Sequence, residues 1–360
     1  MFIQKNEFLR DIDRIRVPEG RDLENGLRLD RNEKVDFWPK DFLVNIFSSK
    51  PEYFLSVYPE HIIGSFYDKL SKHLKVDKSQ IMLTSGVEGA IKTLFELMTS
   101  PGDAVGILSC SYAMYKVYSM LFQVELREVG YNKDFTLNFN ELNALLDQKP
   151  AILFIPNPNL PIETALSLDE LEEIIKKAYG KKCLCVIDET YHMYGCETGM
   201  PLLNNYDNVV ILRAFSKGFG VPSIRLGYMV STDENMQILS KTRFAYESNA
   251  LSLAVGEYLL DNYDMVKQNV ERIIEGRTYV KDELAALGLE THGSKSNFLL
   301  VNLQSREKAN MVVSKLAEKL IYVKGPMKSP WDQFITITIG PVSHMKIFID
   351  AMKSTINIRN

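Results

Sequence analysis

Apolar residues at Val87, Ala90, Ile91, Leu94, Phe95 and Met98 keep the three-and-four spacing of a helix with one buried face, directly behind the turn Thr84-Ser85-Gly86. Further along come short apolar runs that do not alternate: 104–109, 151–156 (AILFIP), 183–188 (CLCVID), 209–215 and 226–231. Runs of that kind are strands covered on both faces, as in parallel sheets packed between helices. The pattern between them predicts a helix over 112–122. Ser167 and Glu170 form a capping box that opens another over 168–179. Strand and helix in turn predict an α/β fold with a mostly parallel central sheet. Beyond Thr232 the pattern changes. A long helical stretch, 251–287, precedes strands near 298–303 and 334–339, with helices between and after. The expected organisation is a large α/β domain over 41–240 and a smaller α+β domain built from 1–40 and 241–360.

Length supports the division, because 360 residues exceed what one small core holds. A 46% hydrophobic and 24% charged composition is that of a soluble globular chain. The net charge of −4, with no basic stripe, argues against nucleic acid as a partner. Cys110, Cys183, Cys185 and Cys196 lack metal-ligand spacing and read as thiols in a reducing cytosol, so a cytoplasmic protein without a metal site is expected. The N-terminal segment is too charged for a signal peptide, and no run reaches membrane-spanning length.

The candidate chemistry lies at strand ends. Lys217 follows the run 209–215, Ser216 precedes it, and Arg225 stands eight residues on. A lysine ending a buried strand is destabilising unless it is neutralised, paired or covalently used. One reading is a Schiff-base lysine beside an anion held by Ser216 and Arg225, which pyridoxal phosphate would satisfy; the other is a surface lysine in a loop. Asp188 ends another run, with Tyr191 three residues on, and Asn157 and Asn159 follow a third. Ser85, Gly86 and Val87 open a helix whose N–H groups could hold a phosphate. An aspartate beside a pyridine nitrogen keeps it protonated. Each position also has a plain alternative as a cap, a turn or core packing.

Together these motifs resemble the fold-type I pyridoxal-phosphate enzymes of the class I/II aminotransferase group, especially the histidinol-phosphate aminotransferase subgroup. The resemblance runs from about Arg28 to the C-terminus. It rests on Arg31-Asn32-Glu33, Tyr58-Pro59, Thr84-Ser85-Gly86-Val87-Glu88, Ser111-Tyr112, Asp188-Glu189-Thr190-Tyr191, Ser216-Lys217 through Arg225-Leu226-Gly227-Tyr228, Ser296-Asn297-Phe298 and Tyr322-Val323-Lys324. It implies Lys217 as the Schiff-base lysine, Asp188 at the ring nitrogen, Tyr191 at the ring oxygen and Tyr112 stacked on the ring. Arg225 would hold the phosphate. It also implies a homodimer in which Tyr58 reaches the partner's phosphate, and it places Asn32 near the substrate.

The chain departs from that family at four places. Leu160-Pro161-Ile162-Glu163 stands where Asn-Pro-Thr-Gly is usual, so Leu160 replaces the asparagine and Glu163 the glycine. Thr336 replaces the arginine that grips a substrate anion. Ala214 replaces a serine or threonine two residues before Ser216, and Glu247 replaces an asparagine. Asn157 or Asn159 is expected to supply the missing amide, and Lys324 or Arg243 a displaced positive charge. The reading is an aminotransferase for a small amino or keto substrate, phosphorylated or not, that lacks the usual carboxylate-binding arginine. The alternatives are a decarboxylase of an amino acid or its phosphate ester, and a non-catalytic protein on the same fold.

Overall fold

The computed structural model describes residues 7–12 and 20–356. Residues 1–6, 13–19 and 357–360, which the sequence assigns to the ends of the small domain, lie outside the described residues. Twelve strands are described: β1 (Leu27–Leu29), β2 (Ile81–Ser85), β3 (Ala104–Leu108), β4 (Glu125–Val129), β5 (Ile152–Pro156), β6 (Leu184–Asp188), β7 (Val209–Ala214), β8 (Leu226–Val230), β9 (Thr291–His292), β10 (Phe298–Asn302), β11 (Ile321–Val323) and β12 (Phe334–Thr338).

Seven strands form the large sheet, in the order β2-β8-β7-β6-β5-β3-β4. Only β8 runs against its neighbours, so its amino end lies beside the carboxyl ends of the others. Alternate residues of the apolar runs divide between two cores. Leu153, Ile155, Cys185, Ile187 and Ile211 face one layer of helices. Ile152, Phe154, Val186, Val210 and Leu212 face the other. Double burial explains why these strands are apolar throughout.

A second core surrounds the antiparallel sheet β12-β10-β9, which packs on the helices Tyr263–Ala286 and Val342–Ile356. β1 pairs in parallel with β11 beside it. The expected single helical stretch 251–287 is two helices, Ala250–Asp261 and Tyr263–Ala286. Asn262 breaks it with a non-helical backbone, and its side chain caps the Tyr258 carbonyl at 2.8 Å. The first of the two packs into the large-sheet core through Leu253, Ala254 and Leu259. The helix expected over 112–122 is Met114–Leu121, which leaves Tyr112 in the loop before it. Among the described residues no helix is long and apolar enough to cross a membrane.

Candidate active site

The topology gathers the candidate residues along one edge of the large sheet. Ser85 and Gly86 follow β2, Asn157 follows β5, Asp188 ends β6, Ser216 and Lys217 follow β7, and Arg225 precedes the reversed β8. Open parallel sheets bind ligands at this edge.

At one end lies a cradle of positive charge. Gly86 opens the helix Gly86–Met98 with φ +67°, and a Cβ there would lie 2.6 Å from Arg225 Nη2. Only glycine lets the guanidinium rest against that helix N-terminus. Gly227 permits the same approach from β8, since its Cβ would lie 2.5 Å from the Gly86 carbonyl carbon. Arg225 itself holds φ +52°, uncommon for a residue with a side chain. Among the described residues Arg225 has no ion-pair partner; it donates to the Pro222 carbonyl at 3.2 Å. Val87 is buried in the first turn, while Ser85 is exposed and Ser216 half-buried. A guanidinium against a helix N-terminus, with Ser85 and Ser216 on the same sheet edge, fits a phosphate.

The middle of the edge holds Lys217. Its ammonium donates to the carbonyls of Arg31 at 3.2 Å and Asn32 at 2.9 Å, and lies 5.8 Å from the Tyr191 ring centre. Burial pushes its pKa down to about 8; Glu33 opposes the fall, and Arg225 and Lys324 add to it. Asp188 is buried and accepts from Thr190 N at 3.0 Å, Thr190 Oγ1 at 2.5 Å and Tyr115 Oη at 3.3 Å. Burial raises its pKa against those bonds, and among the described residues no cation pairs with it. A buried carboxyl with neutral donors only is suited to a positive group brought in by a ligand. The Tyr191 hydroxyl accepts from Asn32 Nδ2 at 3.1 Å. Tyr112 is partly exposed, its hydroxyl donates to Glu88 at 3.4 Å, and its ring meets that of Tyr115, the tyrosine that donates to Asp188, in an edge contact.

Asn157 and Asn159 are engaged by the protein. Asn157 Nδ2 donates to the carbonyls of Leu166 and Glu197, and its Oδ1 accepts from Leu166 N. Asn159 Nδ2 donates to Ile162 O at 3.1 Å and Cys110 O at 3.4 Å, and its Oδ1 accepts from Ser111 Oγ. Lys324 and Thr336 exchange backbone hydrogen bonds of 3.0 and 2.7 Å across a bridge, which puts their side chains together on one face. Thr336 is buried, and its Oγ1 has no hydrogen-bond partner. The Lys324 pKa is lowered by burial, with Asp30 opposing. Arg243 is paired with Glu247 and lies over the Tyr67 ring; among the described residues it touches neither Lys217 nor Thr336. Tyr58 is exposed and stacks on Tyr246 at 4.8 Å.

Four residues contribute in ways that the sequence reading did not assign to them. Tyr115 supports Asp188 from the buried face of a helix. Thr338 and Asn297 hold Asn32, whose carbonyl receives Lys217. Arg213, buried within β7, donates to Glu189 at 2.7 and 2.9 Å beneath the site. Only the last carried a signal: a charge inside an apolar run demands a partner.

This arrangement of sheet, switch point and lysine is that of the fold-type I pyridoxal-phosphate enzymes. The family model for aminotransferase class I and II matches residues 53–352, and the chain belongs to that family. It is 31% identical over 315 residues to histidinol-phosphate aminotransferase 1 of Carboxydothermus hydrogenoformans, covering 87% of this chain and 88% of the relative. It is 25% identical over 335 residues to the histidinol-phosphate aminotransferase of Clostridium novyi, covering 92% of each. Among solved structures it resembles the Sinorhizobium meliloti histidinol-phosphate aminotransferase in complex with pyridoxal-5'-phosphate, at TM-score 0.88 and 20% identity over 99% of this chain and 98% of that one. L-threonine-O-3-phosphate decarboxylase from Porphyromonas gingivalis shares the fold at TM-score 0.75 and 19% identity, over 91% of this chain and 98% of that one.

Proposed function

We propose that this aminotransferase acts on a small amine or ketone whose far end carries a phosphate ester, received by Lys324 and Thr336. The observation that carries the reading is the unpartnered, buried Thr336 hydroxyl on a residue paired across a β-bridge with Lys324. A point charge with a hydroxyl suits a tetrahedral phosphate; it lacks the planar fork that grips a carboxylate. The histidinol-phosphate aminotransferases to which the chain is similar act, by name, on such a phosphate ester.

The cofactor is pyridoxal phosphate, which when bound supplies an aldehyde and a ring that takes up negative charge from the substrate's α-carbon. Arg225, Ser216, Ser85 and the first N–H groups at Gly86 and Val87 bind its phosphate. Asp188 holds the proton on the ring nitrogen, and the raised pKa of its buried carboxyl suits a cationic partner. Tyr191, fixed by Asn32, orients toward the ring oxygen, and Tyr112 covers the ring face. Lys217 Nζ takes the proton from the α-carbon, a task matched by its depressed pKa. Asn157 and Asn159 act by shaping the loop that borders the ring, since their amides are spent on backbone groups.

The working unit is a homodimer in the cytoplasm. Large apolar side chains at Leu43, Val44, Leu55, Tyr58 and Phe244 are exposed, as residues that meet a second copy would be. Residues 41–240 make up the large domain, to which the helix Ala250–Asp261 adds by packing on the large-sheet core, and the small domain is the second core around the antiparallel sheet. Half-reaction kinetics test the substrate class: the cofactor spectrum is followed against amino-alcohol phosphates, their dephosphorylated forms, amino acids and amino sugars, with carbon dioxide release measured in parallel. Faster conversion of the phosphorylated amines without carbon dioxide is the expected result. Stoichiometric carbon dioxide would make the reaction a decarboxylation and overturn the reading.

A further inference from the structure

The segment that replaces Asn-Pro-Thr-Gly has exchanged one kind of contact for another. Leu160 packs on the core around the small sheet, which includes Tyr191 and Phe298. Ile162 is fully buried against Leu300 and Phe334 of that sheet. The Glu163 carboxylate accepts from Ser294 N at 2.5 Å, Lys295 N at 2.8 Å and Ser296 Oγ, and its carbonyl faces His292 Nε2 at 2.6 Å. A glycine could make none of the side-chain contacts. The residue after Ser296 is Asn297, whose Nδ2 donates at 3.1 Å to the Asn32 carbonyl, the same oxygen that receives Lys217 Nζ at 2.9 Å.

We propose that Glu163 is a positioning residue for Lys217: it fixes the backbone at 294–296 so that Asn297 holds the Asn32 carbonyl in place for the lysine. Arg277 steadies the same segment by donating to the Ser296 carbonyl at 2.7 Å. The inference rests on the reading that Lys217 carries the cofactor. The charged and titratable groups facing Lys217 are Glu33, Arg225, Lys324 and Tyr191, and those facing Glu163 are Arg277, Lys295, Cys196 and His292. None of them is altered in the variants below.

The test is the rate at which apo-enzyme takes up pyridoxal phosphate, followed by its visible band as a function of pH. The neutral amine is the nucleophile, so the wild-type rate rises with pH and levels off above about 8. In Asn297→Ala and Glu163→Ala the Asn32 carbonyl loses its brace, the ammonium loses a fixed acceptor, and the midpoint moves down by about half a pH unit or more. Glu163→Gln keeps one accepting oxygen and gives a smaller shift in the same direction. The double variant Glu163→Ala/Asn297→Ala shifts no further than either single one. A role confined to bracing the fold would lower thermal stability and leave the midpoint alone. Unchanged midpoints in the Glu163 variants would overturn the proposal; if Glu163→Ala does not fold, Glu163→Gln decides alone. A wild type with no borohydride-bleachable band would instead overturn the assignment of Lys217.

Discussion

The two ends of the active-site groove are built on opposite terms. At the proposed cofactor end, polar groups are left without partners of opposite charge among the described residues: Arg225 pairs with no carboxylate there, and Asp188 has only neutral donors. At the substrate end, polar groups are consumed by the protein. The side-chain amides of Asn157 and Asn159 bind backbone, Glu163 binds 294–296, and Thr336 Oγ1, across the bridge from Lys324, is left without a partner, as is Asn297 Oδ1. A buried carboxyl with no counter-charge is costly unless a ligand supplies the match, so Asp188 points to a cationic group brought in from outside, while the exposed Arg225 keeps its charge in water until an anion arrives. On the proposed reading, the substrate end uses the loop at 160–163 as a brace and recognises its ligand through Lys324 and Thr336.

The comparison breaks first at Lys217. Lys217→Ala is expected to lose the borohydride-bleachable band and to drop turnover by about 10⁴-fold or more, because base and covalent carrier vanish together. Unimpaired turnover would place the carrier elsewhere. Next in size is Asp188→Asn. An amide cannot balance a cation, and losing a charge-assisted bond worth about 1.5–3 kcal/mol should slow the half-reaction roughly ten- to a hundredfold. A change below twofold would mean that the buried carboxyl has a structural role only.

Thr336→Val sharpens the contrast with a smaller, two-sided effect. The hydroxyl is buried without a partner, so its removal should leave thermal stability unchanged or raise it by up to about 1 kcal/mol. The same change should weaken a phosphorylated substrate by about 0.5–1.5 kcal/mol, seen as a higher KM. Stability lost with KM unchanged would show a hydroxyl serving the fold.

Much of this was legible in the chain before folding. The large sheet announced itself because doubly covered strands must be apolar throughout, and Asp188, Lys217 and Arg225 stood out as charges at the ends of such runs. The fates of Asn157 and Glu163 were not legible. Asn157 meets carbonyls nine and forty residues away, and Glu163 meets groups 131 to 133 residues away, so composition around each position carries no trace of its partner. Asn262 ended a helix that periodicity alone carries through, because its cap is a side-chain hydrogen bond rather than a break in the apolar pattern.

The most direct test of the account is the advantage a phosphate gives at the substrate end. Half-reaction rates at limiting substrate are compared for an amino-alcohol phosphate and its dephosphorylated form, in wild type and in Lys324→Ala. The phosphate should improve the wild-type rate by about tenfold or more, and Lys324→Ala should erase most of that gain, read as the ratio of the two substrates' rates so that the influence of Lys324 on Lys217 cancels. Equal wild-type rates with and without the phosphate, or a full advantage surviving in Lys324→Ala, would contradict the account.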